Sequence, residues 1–277
     1  MTDSPPVPSS RIERHIERVL NDADEASLPL VRDVLHESPD RWYGQLVVSM
    51  YDSLSDRQDY GAVLPAAAAI ELLRGYVRLR SRLFVTLTDN HAHSLTMDPT
   101  SALLAGDYLY TAAFSLLGSA PDSPPGDCFE TLTTVLETVT EAFARTYTSA
   151  GSADHDQVMF LDETAGSLGE GAAALGATLA DFDGPDRSHC ERLGRDLSTA
   201  RQFHQILNTD PNEAMIVPPT VNESRLHLHA EQRRNDATQA IDTLSETVDV
   251  TRLRVFAETT VTKQDQWSPA TDDNALD

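Results

Sequence analysis

Lysine and cysteine are scarce in this sequence. Lys263 is the single lysine, and the basic side chains are otherwise arginine. Cys128 and Cys190 stand alone without a CxxC spacing, so the sequence predicts neither a zinc site nor a disulfide framework and suits a reducing cytosol. There is no run of about 18 apolar residues, so we predict no membrane span. The opening residues, MTDSPPVPSS, lack a basic segment followed by an apolar one, so we predict no signal peptide and a cytoplasmic location.

Positive charge is scarce as well. The 277 residues contain 44 Asp and Glu against 21 Lys and Arg, a net charge of -23 at pH 7. The acids are spread along the chain, which favours a halophilic protein whose carboxylates hold water while salt screens their repulsion. An acidic tract for partner binding is the alternative. The charge argues against nucleic-acid binding, because affinity for phosphates needs a basic face.

Apolar residues recur with the period of an α-helix through most of the chain. The segments with this spacing cover residues 11–20, 28–35, 44–54, 64–87, 102–117, 129–146, 157–179, 190–207, 230–244 and 251–263. We find no strand alternation and no internal repeat. The sequence therefore predicts an all-α, single-domain bundle of about ten helices over residues 1–263. Residues 264–277 are predicted to form a disordered acidic tail.

Five segments, in order along the chain, resemble the trans-type isoprenyl (polyprenyl) diphosphate synthases. They are AAAIELLRGY at 67–76, LLAGD at 103–107, TAGSLGEGAAALGATL at 164–179, GRDL at 194–197 with Ala200 and Gln202, and the helix at 230–244. LLAGD is the most specific of them, and an unrelated Ala-rich bundle is the alternative. The resemblance implies helices around a central cavity. It also implies the family's reaction, in which an allylic diphosphate ionises and joins isopentenyl diphosphate.

The resemblance implies that Mg²⁺ neutralises the leaving diphosphate and is held by Asp side chains from two facing helices. A DDxxD spacing suits this task, since carboxylates at i and i+4 share one helix face. In this chain the positions of the first motif are Ser81, Arg82 and Val85, and those of the second are Gln205 and Asn208. Three acids lie near these positions. Asp89 is a single carboxylate beyond the first motif, and Asp210 and Glu213 lie in a Pro-containing loop near the second.

The cationic elements of the family are also altered. The early Gly-Lys-Arg element corresponds to Asp40-Arg41-Trp42, which leaves Arg41 as a candidate anion ligand. The Lys of a Lys-Thr pair corresponds to Glu163, and no Arg pair follows the first motif. Asp107 and Gln202 are further candidates for the cavity. We therefore predict no catalytic residue, no metal site and no cofactor, with Mg²⁺ expected only if the protein is an active enzyme.

Arg74, Arg78 and Arg82 are spaced four residues apart and share a helix face. This stripe is a candidate for direct diphosphate binding without a metal. The alternative, which the acidic composition favours, is that it pairs with acids of neighbouring helices. Two His-x-His pairs, at residues 91–93 and 227–229, would suit a metal only in a strand and lack a third ligand.

The sequence thus predicts a catalytically degenerate polyprenyl diphosphate synthase homologue in isoprenoid biosynthesis. We expect it to act as a non-catalytic partner or regulatory subunit of an active synthase. The resemblance implies a homodimer or heterodimer, although the paired CxxxC motifs of the plant non-catalytic subunits are missing. Two alternatives remain open: an active prenyltransferase that condenses allylic and isopentenyl diphosphates through a rewired site, and a module that binds a prenyl chain.

Overall fold

The computed structural model describes residues 9–37, 39–57, 59–88, 98–120, 126–148, 156–184, 186–208 and 214–265, with side chains as far as Thr260. Within these ranges the regular structure is entirely helical. The α-helices are α1 (Ser9–Glu25), α2 (Pro29–His36), α3 (Trp42–Leu54), α4 (Val63–Thr88), α5 (Pro99–Gly118), α6 (Gly126–Thr148), α7 (Gln157–Leu161), α8 (Ser167–Leu179), α9 (Arg187–Asn208), α10 (Glu223–Leu244) and α11 (Thr251–Asp265). A π-helical turn, Asp162–Gly166, joins α7 to α8. The predicted all-α bundle is confirmed.

Helices α5 and α10 begin earlier than the apolar spacing predicted, because polar caps start them. Asp98 caps α5 by accepting a hydrogen bond of 2.7 Å from the backbone N–H of Ser101, and Pro99 occupies the first turn. Asn222 caps α10 in the same way, at 3.1 Å from the N–H of Arg225. The predicted tail begins within the last turn of α11, and residues 266–277 lie outside the described ranges, so its disorder stays a prediction.

Helices α4 and α8 form the centre of the bundle. Nineteen of the 26 residues of α4 and 11 of the 13 residues of α8 are buried. A helix that is apolar or small on all sides must be covered on all sides. Accordingly α4 packs on α1, α3 and α5, while α8 packs on α3, α6 and α9. Among the described helices, none combines the length and apolar character needed to cross a bilayer.

Helices α8 and α9 approach each other closely at two glycines. A Cβ atom at Gly169 of α8 would lie 2.1 Å from the carbonyl oxygen of Gly194 on α9, and a Cβ atom at Gly194 would lie 2.2 Å from that of Gly169. Any larger residue would collide with backbone, so glycine is required for this approach. The contact holds α9 directly against the buried helix α8.

Candidate functional site

A cavity of about 740 Å³ lies between the start of α3, the C-terminal half of α4, and α9. Four arginines contribute to its lining: Arg74, Arg78, Arg82 and Arg201. Two carboxylates contribute as well: Glu37 and Asp40, from the segment between α2 and α3. We call this site the arginine cavity. Its lining carries more positive than negative charge, although the whole chain has a net charge of -23.

The deepest arginine belongs to a fully buried ion pair. The Nε of Arg74 lies 3.0 Å from one carboxylate oxygen of Glu71, and Glu71 has no exposed surface. The other oxygen of Glu71 accepts a hydrogen bond of 2.9 Å from the N–H of Gly44, in the first turn of α3. Because the N-cap residue of α3, Arg41, supplies no side-chain cap, a carboxylate from α4 takes that role.

Glu37 is shared by the other two α4 arginines that line the cavity, Arg78 and Arg82. Its carboxylate pairs with the Nε of Arg78 and lies 3.2 Å from Nη1 of Arg82. Arg78 is only 5% exposed and also donates a hydrogen bond to the carbonyl of Ala214. Burial, with the neighbouring Arg82 charge as the next cause, lowers the pKa of Arg78 to about 10. One carboxylate therefore serves two guanidinium groups in a poorly hydrated place.

Arg201 faces these side chains from α9. Its Nη2 lies 2.7 Å from the carboxylate of Asp40, and its guanidinium carbon lies 5.4 Å from the centre of the Trp42 ring. Beside it, the Tyr43 hydroxyl and Ser198 Oγ are 2.9 Å apart. Burial raises the pKa of Tyr43 to about 12, so this phenol is neutral at physiological pH. The α9 wall is thus cationic and hydrogen-bonding.

A second polar cluster lies on the opposite face of α9. The Nη1 of Arg233, on α10, lies 2.9 Å from Asp196, and Nη2 of the same side chain pairs with Asp162 in the π-helical turn. Asp196 is 1% exposed, and burial raises its pKa to about 6. We call these three residues the acid cluster, because two carboxylates share one arginine.

Comparison with known proteins identifies the fold to which this helical bundle is similar. No protein-family model matches the sequence, and no curated protein matches it. Solved structures match over nearly the whole chain. A geranyltransferase from Helicobacter pylori has a TM-score of 0.68 at 14% identity, covering 93% of this chain and 100% of its own. The fold is that of the trans-type isoprenyl diphosphate synthases.

Two further synthase-fold structures extend the match. A geranylgeranyl pyrophosphate synthetase from the archaeon Geoglobus acetivorans has a TM-score of 0.65 at 18% identity, covering 91% of this chain and 98% of its own. The geranyl diphosphate synthase small subunit from Antirrhinum majus has a TM-score of 0.60 at 16% identity, covering 92% and 99%. At such identities the match concerns the fold.

The motif positions predicted from the synthase resemblance separate into two groups. Arg82 and Gln205 line the arginine cavity from facing helices. Gln202 also lines it, and its side-chain amide donates a hydrogen bond of 3.1 Å to the carbonyl of Ile216. Ser81 is fully buried, and its Oγ accepts a hydrogen bond of 2.9 Å from the N–H of Val217. Ser81 lies outside the lining, as do the other two positions: Val85, half-buried, and Asn208, exposed and hydrogen-bonded to His204.

The remaining candidate site residues pair with groups outside the arginine cavity. The buried Arg41 guanidinium lies 2.6 Å from Glu13 and 2.5 Å from the Leu35 carbonyl. Asp107 pairs with Arg80 at 2.9 Å, and Glu163 pairs with Arg145 at 2.5 Å. None of the three lines the arginine cavity. His227 and His229 lie on α10, where residues two apart point in different directions. Candidates outside the described ranges are Asp89, His91, His93, Asp210 and Glu213.

The described lining does not fit the Mg²⁺ of the synthase family. Mg²⁺ requires oxygen ligands, of which carboxylates are the strongest. Here both lining carboxylates already pair with arginine: Glu37 with Arg78 and Arg82, and Asp40 with Arg201. Four guanidinium groups around one cavity also repel a divalent cation. The donor set instead favours an anion.

Proposed function

We propose that this protein is a non-catalytic protein of isoprenoid biosynthesis that acts as a partner or regulatory subunit of an active isoprenyl diphosphate synthase. One observation carries the proposal. The cavity that would hold the metal-bound diphosphate in a synthase is lined here by arginines, and the carboxylates of its described lining are already ion-paired. A side-chain set that repels Mg²⁺ cannot use the family's metal to stabilise the leaving diphosphate.

The surface of α5 supports a role as a subunit. One side of α5 packs on α4, while three large apolar residues are exposed: Leu103, Leu104 and Tyr110, of which Tyr110 also contacts the ring of Tyr76 on α4. Leu104 is 51% exposed. A group of exposed apolar side chains on an otherwise acidic protein is typical of a protein–protein contact. The likeness of fold to a protein described as a synthase small subunit points the same way. The dimer therefore includes α5, with a second copy or a synthase as partner.

The catalytic part of the proposal is tested by turnover. The purified protein is given Mg²⁺, an allylic diphosphate and isopentenyl diphosphate in concentrated KCl. It should not form any product with a longer prenyl chain. High salt suits the net charge of -23, which supports a high-salt cytoplasm as the protein's location. An active synthase from the same source, assayed in the same buffer, is the control. Measurable turnover would overturn the proposal and favour a prenyltransferase with a rewired site.

The subunit part is tested by assembly. Co-expression with that synthase should give a heteromer in size-exclusion chromatography with light scattering. Leu104→Glu should abolish the heteromer, because it places a charge on the α5 surface. Leu228→Glu, at a position on α10 that is even more exposed, is the matched control and should leave it intact. A synthase that stays separate from the wild-type chain would contradict this role.

A further inference from the structure

We propose that the basic face at the start of α1 is a docking surface for the acidic segment 266–277 of the same chain. Three arginines form this face, which we call the α1 stripe: Arg11, Arg14 and Arg18. Because they are three, four and seven residues apart, they lie on one side of the helix. None of the three lines the arginine cavity, so the inference requires neither catalysis nor a partner subunit.

The α1 stripe has no acidic partner within the described part of the chain. Most other arginines there pair with an acid. Arg14 and Arg18 are exposed, and the described residues give neither of them an ion pair or a hydrogen bond. Arg11 lies over the ring of Tyr60, 4.7 Å from its centre, a contact that leaves its charge uncompensated. Three cations therefore lie together without acids in a chain whose net charge is -23.

His15, beside the stripe, experiences this positive potential. Burial lowers the pKa of His15, and the charges of Arg18, Arg14 and Arg11 lower it further. Its Nδ1 is buried and has no hydrogen-bond partner among the described residues. The positive end of the helix dipole lies at the same end of α1, and no acid occupies the first turn. An acidic segment along the stripe would relieve the repulsion among these charges.

The segment 266–277 has the complementary charge. It contains Asp272, Asp273 and Asp277 and no basic residue. Its carboxylates thus equal the arginines of the α1 stripe in number, and each guanidinium can pair with a carboxylate through parallel N–H donors. Trp267 adds an aromatic face on which an arginine can stack. Docking of this kind needs no regular structure in the segment, because the contacts are made by side chains.

The path of the chain allows the segment to reach α1. Thr260 of α11 accepts a hydrogen bond of 2.9 Å from the indole N–H of Trp42. The preceding residue, Arg41, pairs with Glu13 of α1 at 2.6 Å. Helix α11 ends at Asp265, about 8 Å beyond Thr260 along the helix. The segment can then span about 40 Å when extended. Because it is tethered, its effective concentration exceeds that of acidic surfaces on other copies.

The test follows a fluorophore attached to the segment in the full chain. Ala275→Cys provides the labelling site, since Cys128 and Cys190 are buried and burial raises the pKa of both thiols. Time-resolved anisotropy separates a docked segment, which rotates with the protein, from a free one. The measurement uses the lowest KCl concentration at which thermal unfolding shows a folded chain. We expect mainly the slow rotation of the whole protein, and a growing fast component as KCl screens the contact.

Charge reversal on the stripe should release the segment. Arg14→Glu combined with Arg18→Glu should shift the docking equilibrium by roughly tenfold toward the free segment, because two exposed ion pairs are replaced by repulsion. Arg18→Glu alone should give part of this shift. Arg192→Glu is its matched control and should give none, since Arg192 is an exposed arginine of α9 that also has no ion pair among the described residues. Thermal unfolding checks that each variant is folded.

A charge swap completes the test. Asp272→Arg with Asp273→Arg should release the segment, and adding Arg14→Glu and Arg18→Glu should restore the slow rotation. A label equally mobile in the unaltered stripe and its variants would overturn the proposal, as would equal effects of Arg18→Glu and Arg192→Glu. Light scattering examines the other occupant. A dimer that dissociates on reversal of the stripe, while the label stays free, would assign the stripe to a second copy and also overturn the proposal.

Discussion

The two polar clusters on either side of α9 have opposite charge balance. In the arginine cavity, four guanidinium groups meet two carboxylates, and burial with a like charge nearby lowers the pKa of Arg78 to about 10. In the acid cluster, Arg233 serves two aspartates, and burial raises the pKa of Asp196 to about 6. The cation excess borders open space that an external anion can enter. In the acid cluster, by contrast, Asp196 is enclosed by helices, so only Arg233 or a proton can relieve its charge.

The largest expected effect comes from removing the single cation of the acid cluster. Arg233→Met leaves Asp196 and Asp162 without a counter-charge, and Asp196 is almost fully buried. Loss of one partner from a buried pair costs about 3–5 kcal/mol. We expect the free energy of unfolding, measured with guanidinium chloride at pH 7, to fall by about this amount.

Arg225→Met is the matched control on the same helix. Arg225 pairs with Asp156 at 2.8 Å, and both side chains are 42% exposed. An exposed pair of this kind contributes about 0–1 kcal/mol. Equal losses in Arg233→Met and Arg225→Met would show that the acid cluster is not closed to solvent, and the contrast with the arginine cavity would disappear.

The pH dependence of stability should identify Asp196. Its folded-state pKa, about 6, lies above the ordinary value of 3.8, so the proton binds more tightly to the folded state. The resulting stabilisation is complete below about pH 4 and is lost as pH rises through about 6. Between pH 4 and pH 7 the free energy of unfolding of the wild type should therefore fall, relative to Asp196→Asn, by about 2 kcal/mol. Parallel pH curves for the two proteins would place the charged form of Asp196 in a better-compensated site.

The smallest effect is expected in the arginine cavity. Arg78→Met leaves Glu37 paired with Arg82, and it removes the repulsion between two arginines. In the same unfolding assay we expect a smaller loss than the one caused by stranding a fully buried acid. Arg74→Met is the comparison on the same helix, since it strands the fully buried Glu71 and should cost about 3–5 kcal/mol. A loss in Arg78→Met as large as that in Arg74→Met would mean that the cavity has no surplus of cations.

The helices were predictable because apolar residues recur at a regular helical spacing over long segments. The predicted segment 157–179 corresponds to the rod from α7 through the π-helical turn to α8, and residues 251–263 correspond to α11 within two residues. The early turns of α5 and α10 were not predicted, since their caps and first residues are polar and leave no apolar signal. The π-helical turn was not predicted either, because its backbone pattern has no separate signature in the sequence.

The candidate site was predictable only in part. The four-residue spacing of Arg74, Arg78 and Arg82 placed them on one helix face, and the structure places all three in the cavity lining. Arg201 was missed, although its position four residues before Gln205 put it on the same face of α9. Glu37 gave no signal at all, because its partners lie on another helix and only the tertiary fold brings them together.

The contact between Gly169 and Gly194 has a consequence for how such a protein can diverge. At these two glycines the backbone of α9 packs directly on the backbone of α8. Neither glycine lines the arginine cavity. Substitutions at Arg201, Gln202 or Gln205 can therefore reverse the charge of the wall while leaving its placement unchanged. A scaffold anchored in this way separates the inheritance of shape from the inheritance of chemistry, so one fold can carry cavity walls of different charge without refolding.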